Sequence, residues 1–295
     1  MTRRTTDVLL TATAPAIWGS TYVVTTEMLP ANYPLTVALL RALPAGLLLL
    51  LIVRQLPERA WWGRIAVLGG LNFSILWAML FLAAYRLPGG VAATITSVQP
   101  LFVVFLARFF LGATVRALSV AAAVVGIGGV ALLVLTPNAR LDALGIAAAF
   151  AAAVSMAFGT VLSRRWQPPV SALAFTAWQL TAGGLLLLPF ALWLEPPLPA
   201  LTATNWLGFA WLGLIGAAVT YIIWFRGVAR LESAAVAPLT FLSPVTAVIL
   251  GWALLGQTLS VLQVVGILVV IASIWLSQHA QRGALRPVLA TTAAR

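Results

Sequence analysis

The chain has 295 residues, of which 62% are hydrophobic and only 8% are charged, and its formal net charge is +11. A soluble domain carries about 25% charged residues, so this composition excludes a soluble globular protein. Intrinsic disorder is excluded as well, because disordered chains are poor in apolar residues. The apolar residues come in long runs without period-two alternation, which argues against an outer-membrane β-barrel and favours a polytopic helical membrane protein.

Ten apolar segments are each long enough to cross a membrane as a helix of about 20 residues. They cover roughly residues 8–27, 34–53, 64–85, 90–110, 115–135, 143–163, 170–193, 204–225, 234–254 and 258–277. Proline, glycine or charged residues separate them, as at Arg86-Leu87-Pro88-Gly89-Gly90 and at Glu195-Pro196-Pro197. The pattern predicts an all-α membrane protein with short connections.

The basic residues indicate how the chain is oriented in the membrane. All 17 are Arg, and a cytoplasmic N-terminus would place 14 on the cytoplasmic side and only Arg86 and Arg140 outside, with Arg41 inside a span. The positive-inside rule therefore predicts that both termini are cytoplasmic. We expect a multi-pass protein of the bacterial plasma (inner) membrane.

The two halves of the chain resemble each other, and one pair of matching stretches has a constant offset of 144 residues. The stretch from Arg86-Leu87 to Leu111-Gly112 matches the stretch from Arg230-Leu231 to Leu255-Gly256, with nine of 27 positions identical. This predicts a first five-helix repeat in residues 1–140, a second in 141–281 and a cytoplasmic tail in 282–295. Because five is odd, the second repeat is inverted, and inverted repeats are typical of secondary transporters with a central cavity near the middle of the bilayer.

Several motifs resemble a known family. Trp18-Gly19-Ser20-Thr21, Arg41, Leu242-Ser243-Pro244-Val245 and Leu255-Gly256 are similar to motifs of the drug/metabolite transporter superfamily, in particular its ten-helix EamA-type exporters. The sequence also resembles the YddG-type aromatic amino-acid exporters. The resemblance implies export of amino acids or small toxic organic compounds. The family often has an acidic residue after each Leu-Gly, where this chain has Ala113 and Gln257.

Polar and aromatic side chains within the spans are the candidate cavity residues, since polar groups in lipid usually face a cavity or another helix. Aromatic faces can stack on aromatic substrates or attract cations. The predicted cavity set is Trp18, Tyr22, Asn72, Trp77, Tyr85, Gln99, Trp178, Gln179, Tyr221, Trp224 and Ser243. The alternative to cavity lining is hydrogen bonding between helices for the amides and helix packing for the aromatic residues. Pro100 and Pro244, which correspond in the repeat, are predicted hinges.

Arg41 has two open roles. It lies about seven residues into the second span, which is about 10 Å at 1.5 Å per residue, and there it could attract a substrate carboxylate. The alternative, which we favour from sequence alone, is that its side chain extends to the outer interface and pairs with Glu27.

The expected function is export of aromatic or large apolar amino acids by alternating access, by a monomer that binds its small-molecule substrate within the lipid bilayer. The alternative is export of another drug or metabolite, such as a cationic toxicant or another amino acid. We expect no enzyme, metal or cofactor, since the chain has no Cys and its one His, His279, lies in the polar tail. No nucleic acid is expected as a partner. No acidic residue lies deep in a span, so the sequence identifies no proton relay.

Overall fold

The computed structural model describes residues 3–87, 89–134 and 142–282. Within these ranges it has ten helices that are long and apolar enough to cross a membrane. They are α1 (Arg3–Met28), α2 (Pro34–Val53), α3 (Arg59–Ala83), α4 (Ala92–Leu111), α5 (Ala117–Val134), α6 (Ala143–Arg165), α7 (Ala172–Leu194), α8 (Ala203–Arg230), α9 (Ser233–Leu255) and α10 (Val261–Gln281). The predicted all-α fold with ten spans is confirmed.

Side chains at several helix starts satisfy backbone N–H groups that a helix leaves without internal partners. Asp142 accepts from Gly145 N at the start of α6, and Ser171 accepts from Ala174 N at the start of α7. The start of α2 is bonded from a distant loop, since the Glu195 carboxylate accepts from Leu35 N at 2.6 Å and from Thr36 N. An anion is also favoured there by the helix dipole.

Local irregularities recur at the same place in each half of the chain. Both α4 and α9 end at a glycine with positive φ, at Gly112 (67°) and Gly256 (65°), a conformation that glycine adopts without steric cost. Both α3 and α8 contain a π-helical segment, at Gly70–Ile75 and Trp211–Val219. These segments correspond at the offset of 144 residues, so the fold consists of two five-helix repeats.

The first helix of each repeat packs on the other repeat. Helix α1 packs on α8 and α9, whereas α6 packs on α3 and α4. We call α3, α4 and α6 group A and α1, α8 and α9 group B. Helix α2 packs along α7, and α5 packs along α10, so the repeat-related helices form two further pairs.

The α2–α7 contact depends on two glycines. A Cβ at Gly46 would lie 2.5 Å from Thr181 N, and a Cβ at Gly184 would lie 2.6 Å from Leu43 Cβ. Real Cβ atoms do not approach other atoms this closely, so glycine allows the two backbones to touch, as small residues do in other membrane helix pairs. This contact makes α2 and α7 one closely packed pair.

Candidate substrate cavity

A cavity of about 500 Å³ lies between groups A and B. It reaches Pro30 and Ala31 at the α1–α2 junction and Ala92 at the start of α4. These positions lie on the face opposite the beginning of α1, which we call the outer face; the side where α1 begins is the N-terminal face. At its inner end the cavity is bounded by Trp18 and Tyr221. The protein is therefore open on one face and closed on the other.

Aromatic rings close the inner end of the cavity. The Trp18 ring lies 4.9 Å from Tyr221 and 5.2 Å from Trp224, measured between centroids. Phe73 lies 4.7 Å from Tyr221, and Trp77 lies 6.1 Å from it in an edge-to-face arrangement. These separations and tilts are typical of favourable aromatic pairs. The cavity therefore ends on a buried aromatic cluster, of which Trp18, Trp77 and Tyr221 line the cavity.

A chain of hydrogen bonds holds this end of the cavity together across three helices. Trp18 Nε1 donates to Thr220 Oγ1 at 2.9 Å, and Thr220 Oγ1 donates to the Gly216 carbonyl at 2.9 Å. The same carbonyl accepts from Arg41 Nη2 at 2.8 Å. Gly216 lies in the π-helical segment of α8, and π-helical segments are frequent at functional sites.

Arg41 lies in the protein interior, where its residue is only 4% exposed. Its guanidinium carbon is 4.5 Å from the Trp77 ring centroid, a cation–π contact. None of the ion pairs among the described residues includes Arg41, so the predicted extension to the interface with pairing to Glu27 is wrong. The Trp77 face and the Gly216 carbonyl instead stabilise the charge inside the protein.

Several buried polar atoms on the cavity wall have no hydrogen-bond partner among the described residues. They are Arg41 Nε, Gln99 Nε2, Thr21 Oγ1 and Thr25 Oγ1. Buried polar groups are almost always hydrogen-bonded, so these unpaired atoms make their residues candidates for contact with a ligand or water. Two of these four atoms, on Arg41 and Gln99, are N–H donors, which suit an anionic or carbonyl oxygen.

The structure brings several predicted cavity residues together. Those on the cavity wall are Trp18, Tyr22, Arg41, Trp77, Gln99, Tyr221 and Ser243. Pro244 also lines it, and Pro100 is buried just after a break in α4 at residues 97–98. The side chain of Tyr85 lies outside the described part of the structure.

Four predicted cavity residues do not line the cavity in this conformation. Asn72 Nδ2 donates to Gln179 Oε1 at 2.8 Å and to Ser163 Oγ at 3.1 Å, which joins α3, α7 and α6 in the closed half. Trp178 Nε1 donates to the Gln55 carbonyl at 2.6 Å near the N-terminal face. Trp224 packs behind Trp18. Hydrogen bonds therefore satisfy Asn72, Gln179 and Trp178, and Trp224 is buried by packing between helices.

The structure adds hydroxyl groups that the sequence analysis did not select. Thr21, Thr25, Thr96, Ser97 and Thr240 line the cavity. Two signals could have found them: Thr21 and Thr25 lie four residues apart on one face of α1, and Thr96 and Thr240 are identical positions of the repeat. A Ser or Thr hydroxyl can also bond to its own helix, which made these residues poor candidates from sequence alone.

The charged side chains that line the cavity are positive only. Its lining residues include one Arg and no Asp, Glu or His among the residues that the structure describes. No group of three or more potential metal ligands occurs among the described residues either. The wall combines aromatic faces, hydroxyls, one amide and one guanidinium, which together can hold a flat apolar molecule that carries an anionic group.

Comparison with known proteins places this geometry in context. The EamA-like transporter family matches residues 5–135 and 143–278, one match for each repeat. A solved crystal structure has a TM-score of 0.81 with this chain at 21% sequence identity, covering 94% of this chain and 98% of its own. That likeness shows the fold.

Three relatives are similar along most of their length. Protein PecM of Dickeya dadantii is 43% identical over 90% of this chain and 90% of its own. The uncharacterized inner membrane transporter YedA of Escherichia coli K12 is 29% identical over 83% of this chain and 81% of its own. A probable terminal-alkyne amino-acid exporter of Streptantibioticus cattleyicolor is 26% identical over 75% of each chain.

Proposed function

Since the chain belongs to the EamA-like transporter family, we propose that this multi-pass membrane transporter exports aromatic and other large apolar amino acids by alternating access. Membership of this family makes it a transporter of small molecules and not an enzyme. The substrate binds in the cavity between groups A and B and contacts Trp18, Trp77 and Tyr221, with its carboxylate directed to Arg41.

One observation carries the proposal: the unpaired donors of Arg41 and Gln99 lie on the same wall as a cluster of aromatic rings. A carboxylate accepts such donors, and a charge-assisted hydrogen bond is about twice as strong as a neutral one. An aromatic side chain stacks on the ring faces. The cavity volume of about 500 Å³ lies within the usual range of 300–1,000 Å³ for small-molecule sites.

The alternative substrate, a cationic toxicant, fits this wall less well. A buried guanidinium without an acidic partner repels a cation, and no carboxylate lines the cavity among the described residues. Trp77 could attract a cation, but the Arg41 guanidinium 4.5 Å from the centre of its ring would repel that cation. The charge of the wall thus favours a substrate with a carboxylate.

We further propose that both termini lie in the cytoplasm and that the N-terminal face is the cytoplasmic one, as the Arg distribution predicts. The cavity in this structure then opens outward. The names of two relatives, an inner membrane transporter and an amino-acid exporter, support an inner-membrane location and an amino-acid substrate. We propose that the protein acts as a monomer, since the cavity is complete within one chain. The resemblance to the aromatic amino-acid branch stays a prediction.

The test is exchange in proteoliposomes without an ion gradient. Vesicles preloaded with unlabelled Trp are offered labelled Trp, Phe, Leu or Lys outside, beside vesicles without protein. We expect saturable uptake of Trp, Phe and Leu and little uptake of Lys, because the cavity is apolar and carries a positive charge. Uptake of Lys at the rate of Trp, or uptake of a cationic dye in place of any amino acid, would refute the proposed substrate class.

A further inference from the structure

The half of the protein nearer the N-terminal face is closed by direct contact between groups A and B. Ala237 at the start of α9 packs into a buried cluster with Val103 of α4 and Val161 of α6. Near the end of α6, Arg164 Nη1 donates to the Val228 carbonyl at 2.8 Å and also to the Leu231 carbonyl. A cation is favourable at this point because it lies at the C-terminal end of α8.

The closed contacts correspond in the repeat to the walls of the open cavity. Aligning Trp18-Gly19 with Phe158-Gly159 places Tyr22 opposite Leu162. Tyr22 lines the cavity and is 41% exposed, whereas Leu162 is buried at 7%. The same type of surface is therefore open in one half and collapsed in the other.

The second helices of the two repeats, α2 and α7, also correspond, but they carry different polar side chains at the equivalent position. Arg41 of α2 corresponds to Gln179 of α7 when Ala45-Gly46 is aligned with Gly183-Gly184. Each is bonded to the π-helical segment of the other repeat: Arg41 to the Gly216 carbonyl, and Gln179 to the Asn72 amide. Gly216 and Asn72 are themselves 144 residues apart. The two bonded pairs therefore occupy equivalent positions in the two repeats.

We propose that this closed half is the substrate-binding surface of the inward-facing state. There Leu162 and Trp224 contact the substrate, and the Gln179 and Asn72 amides take the place of the Arg41 guanidinium. The proposal rests on the alternating access proposed above, in which inverted repeats exchange conformations. It assigns a role to buried residues that do not line the present cavity.

The consequence is a binding site whose charge depends on the face to which it opens. The outward-facing surface carries Arg41, whereas its inward-facing counterpart carries only neutral amides at the equivalent position. A carboxylate is thus recognised by a cation on the outer side and by amide donors on the inner side. Discrimination between a carboxylate and a neutral carboxamide should be strong only when the site faces outward.

The chain offers a direct test because it contains no Cys, so each introduced Cys is the only thiol. Leu162→Cys and Tyr22→Cys are repeat-matched reporters of the two surfaces. Each is labelled with a small membrane-impermeant thiol reagent, added separately from either face, with and without Arg164→Ala. The Arg164→Ala change removes the bonds to the Val228 and Leu231 carbonyls and needs no substrate to act.

We expect Tyr22→Cys to react from the outer face and Leu162→Cys to react poorly from either face in the wild-type background. Arg164→Ala should raise the inward-facing population from about 10%, the upper end of the range for a minor state, to about one half. Leu162→Cys labelling from the N-terminal face should then rise roughly fivefold, and Tyr22→Cys labelling should fall roughly twofold. Labelling of Leu162→Cys that stays low, or that rises with no loss at Tyr22→Cys, would overturn the proposal. The second result would show local loosening without a change of state.

Protection by ligand then tests the charge difference. In the Arg164→Ala background, tryptophan and tryptophanamide, in which a neutral carboxamide replaces the carboxylate, should protect Leu162→Cys at similar concentrations. At Tyr22→Cys, without that change, tryptophan should protect at a concentration several-fold lower. Equal preference for the carboxylate at both reporters would contradict the neutral inward surface. If Arg164→Ala raises Leu162→Cys labelling and lowers Tyr22→Cys labelling but neither compound protects either Cys, the change of state is supported and the proposed substrate class is refuted.

Discussion

Replacing Arg41 by Gln tests how the cavity recognises a carboxylate. The change removes the charge and gives α2 the residue that α7 has at the equivalent position, Gln179. A hydrogen bond to a charged group contributes about 1.5–3 kcal/mol. At about 1.4 kcal/mol per factor of ten, the dissociation constant of tryptophan should rise roughly 10- to 150-fold. Tryptophanamide lacks the carboxylate, and its affinity should change several-fold at most.

The fold should tolerate this change. The Gly216 carbonyl retains its bond from Thr220, so it is not left without a partner. The lost cation–π contact with Trp77 is worth about 0.5–2 kcal/mol, and this loss is offset because a buried charge no longer has to be desolvated. Purified Arg41→Gln should therefore be obtained in wild-type amounts.

The assay is equilibrium binding of labelled tryptophan to purified protein, with tryptophanamide as the competitor. Arg226→Gln is the matched control, since Arg226 lies outside the cavity near the N-terminal face, where its Nη2 bonds Asp7 Oδ1 at 2.7 Å. That control should leave the ratio of the two affinities unchanged. If Arg41→Gln weakens both ligands equally, or weakens neither, the assignment of Arg41 to the carboxylate is refuted.

Three further predictions concern the scaffold around the cavity. Thr220→Val leaves a buried indole N–H without its acceptor, so the free energy of unfolding should fall by about 1–3 kcal/mol, measured by thermal unfolding in detergent; an unchanged melting temperature would argue against the bond. Gly46→Ala should sharply reduce the yield of folded protein, because its Cβ would lie 2.5 Å from Thr181 N, whereas the Cβ of Gly63→Ala meets nothing within 4 Å and this control should fold normally. Equal yields of the two variants by size-exclusion chromatography would exclude the close α2–α7 contact. Pro100→Ala and Pro244→Ala should each slow exchange in proteoliposomes while membrane insertion persists, and full activity of both would reject the hinges.

The fold could be predicted from the sequence because each of its main features depends on a local signal. Runs of apolar residues define the spans, since backbone in lipid must be hydrogen-bonded within a helix. The match between the Arg86–Gly112 and Arg230–Gly256 stretches identified the repeat, and in the structure both end at a glycine with positive φ. That conformation is a property of single residues and therefore appears in the sequence.

The site was less predictable because it depends on partners far apart in the chain. Nothing near Arg41 in sequence indicates that a carbonyl 175 residues away and the Trp77 ring would stabilise its charge inside the protein. Asn72 and Gln179 satisfy each other across two helices, so each looks like an unpaired polar residue when read alone. Whether such an amide faces a cavity or a neighbouring helix is decided by tertiary packing.

The inverted repeat also explains why some predicted residues lie outside the cavity. Gln179 and Trp224 are in the half that is closed in this conformation, as buried counterparts of Arg41 and Leu80. The sequence shows both halves at once, whereas one structure shows a single state. A list of cavity residues drawn from the sequence therefore combines residues that, in our proposal, face the substrate at different stages of transport.

The most direct test of the central claim is a cryo-electron microscopy structure of the protein with tryptophan in lipid nanodiscs. The account predicts density for the indole ring against Trp18, Trp77 or Tyr221 and for the carboxylate within hydrogen-bond distance of the Arg41 guanidinium. Tryptophan bound at any other place, or bound in the cavity with its carboxylate directed away from Arg41, would contradict it.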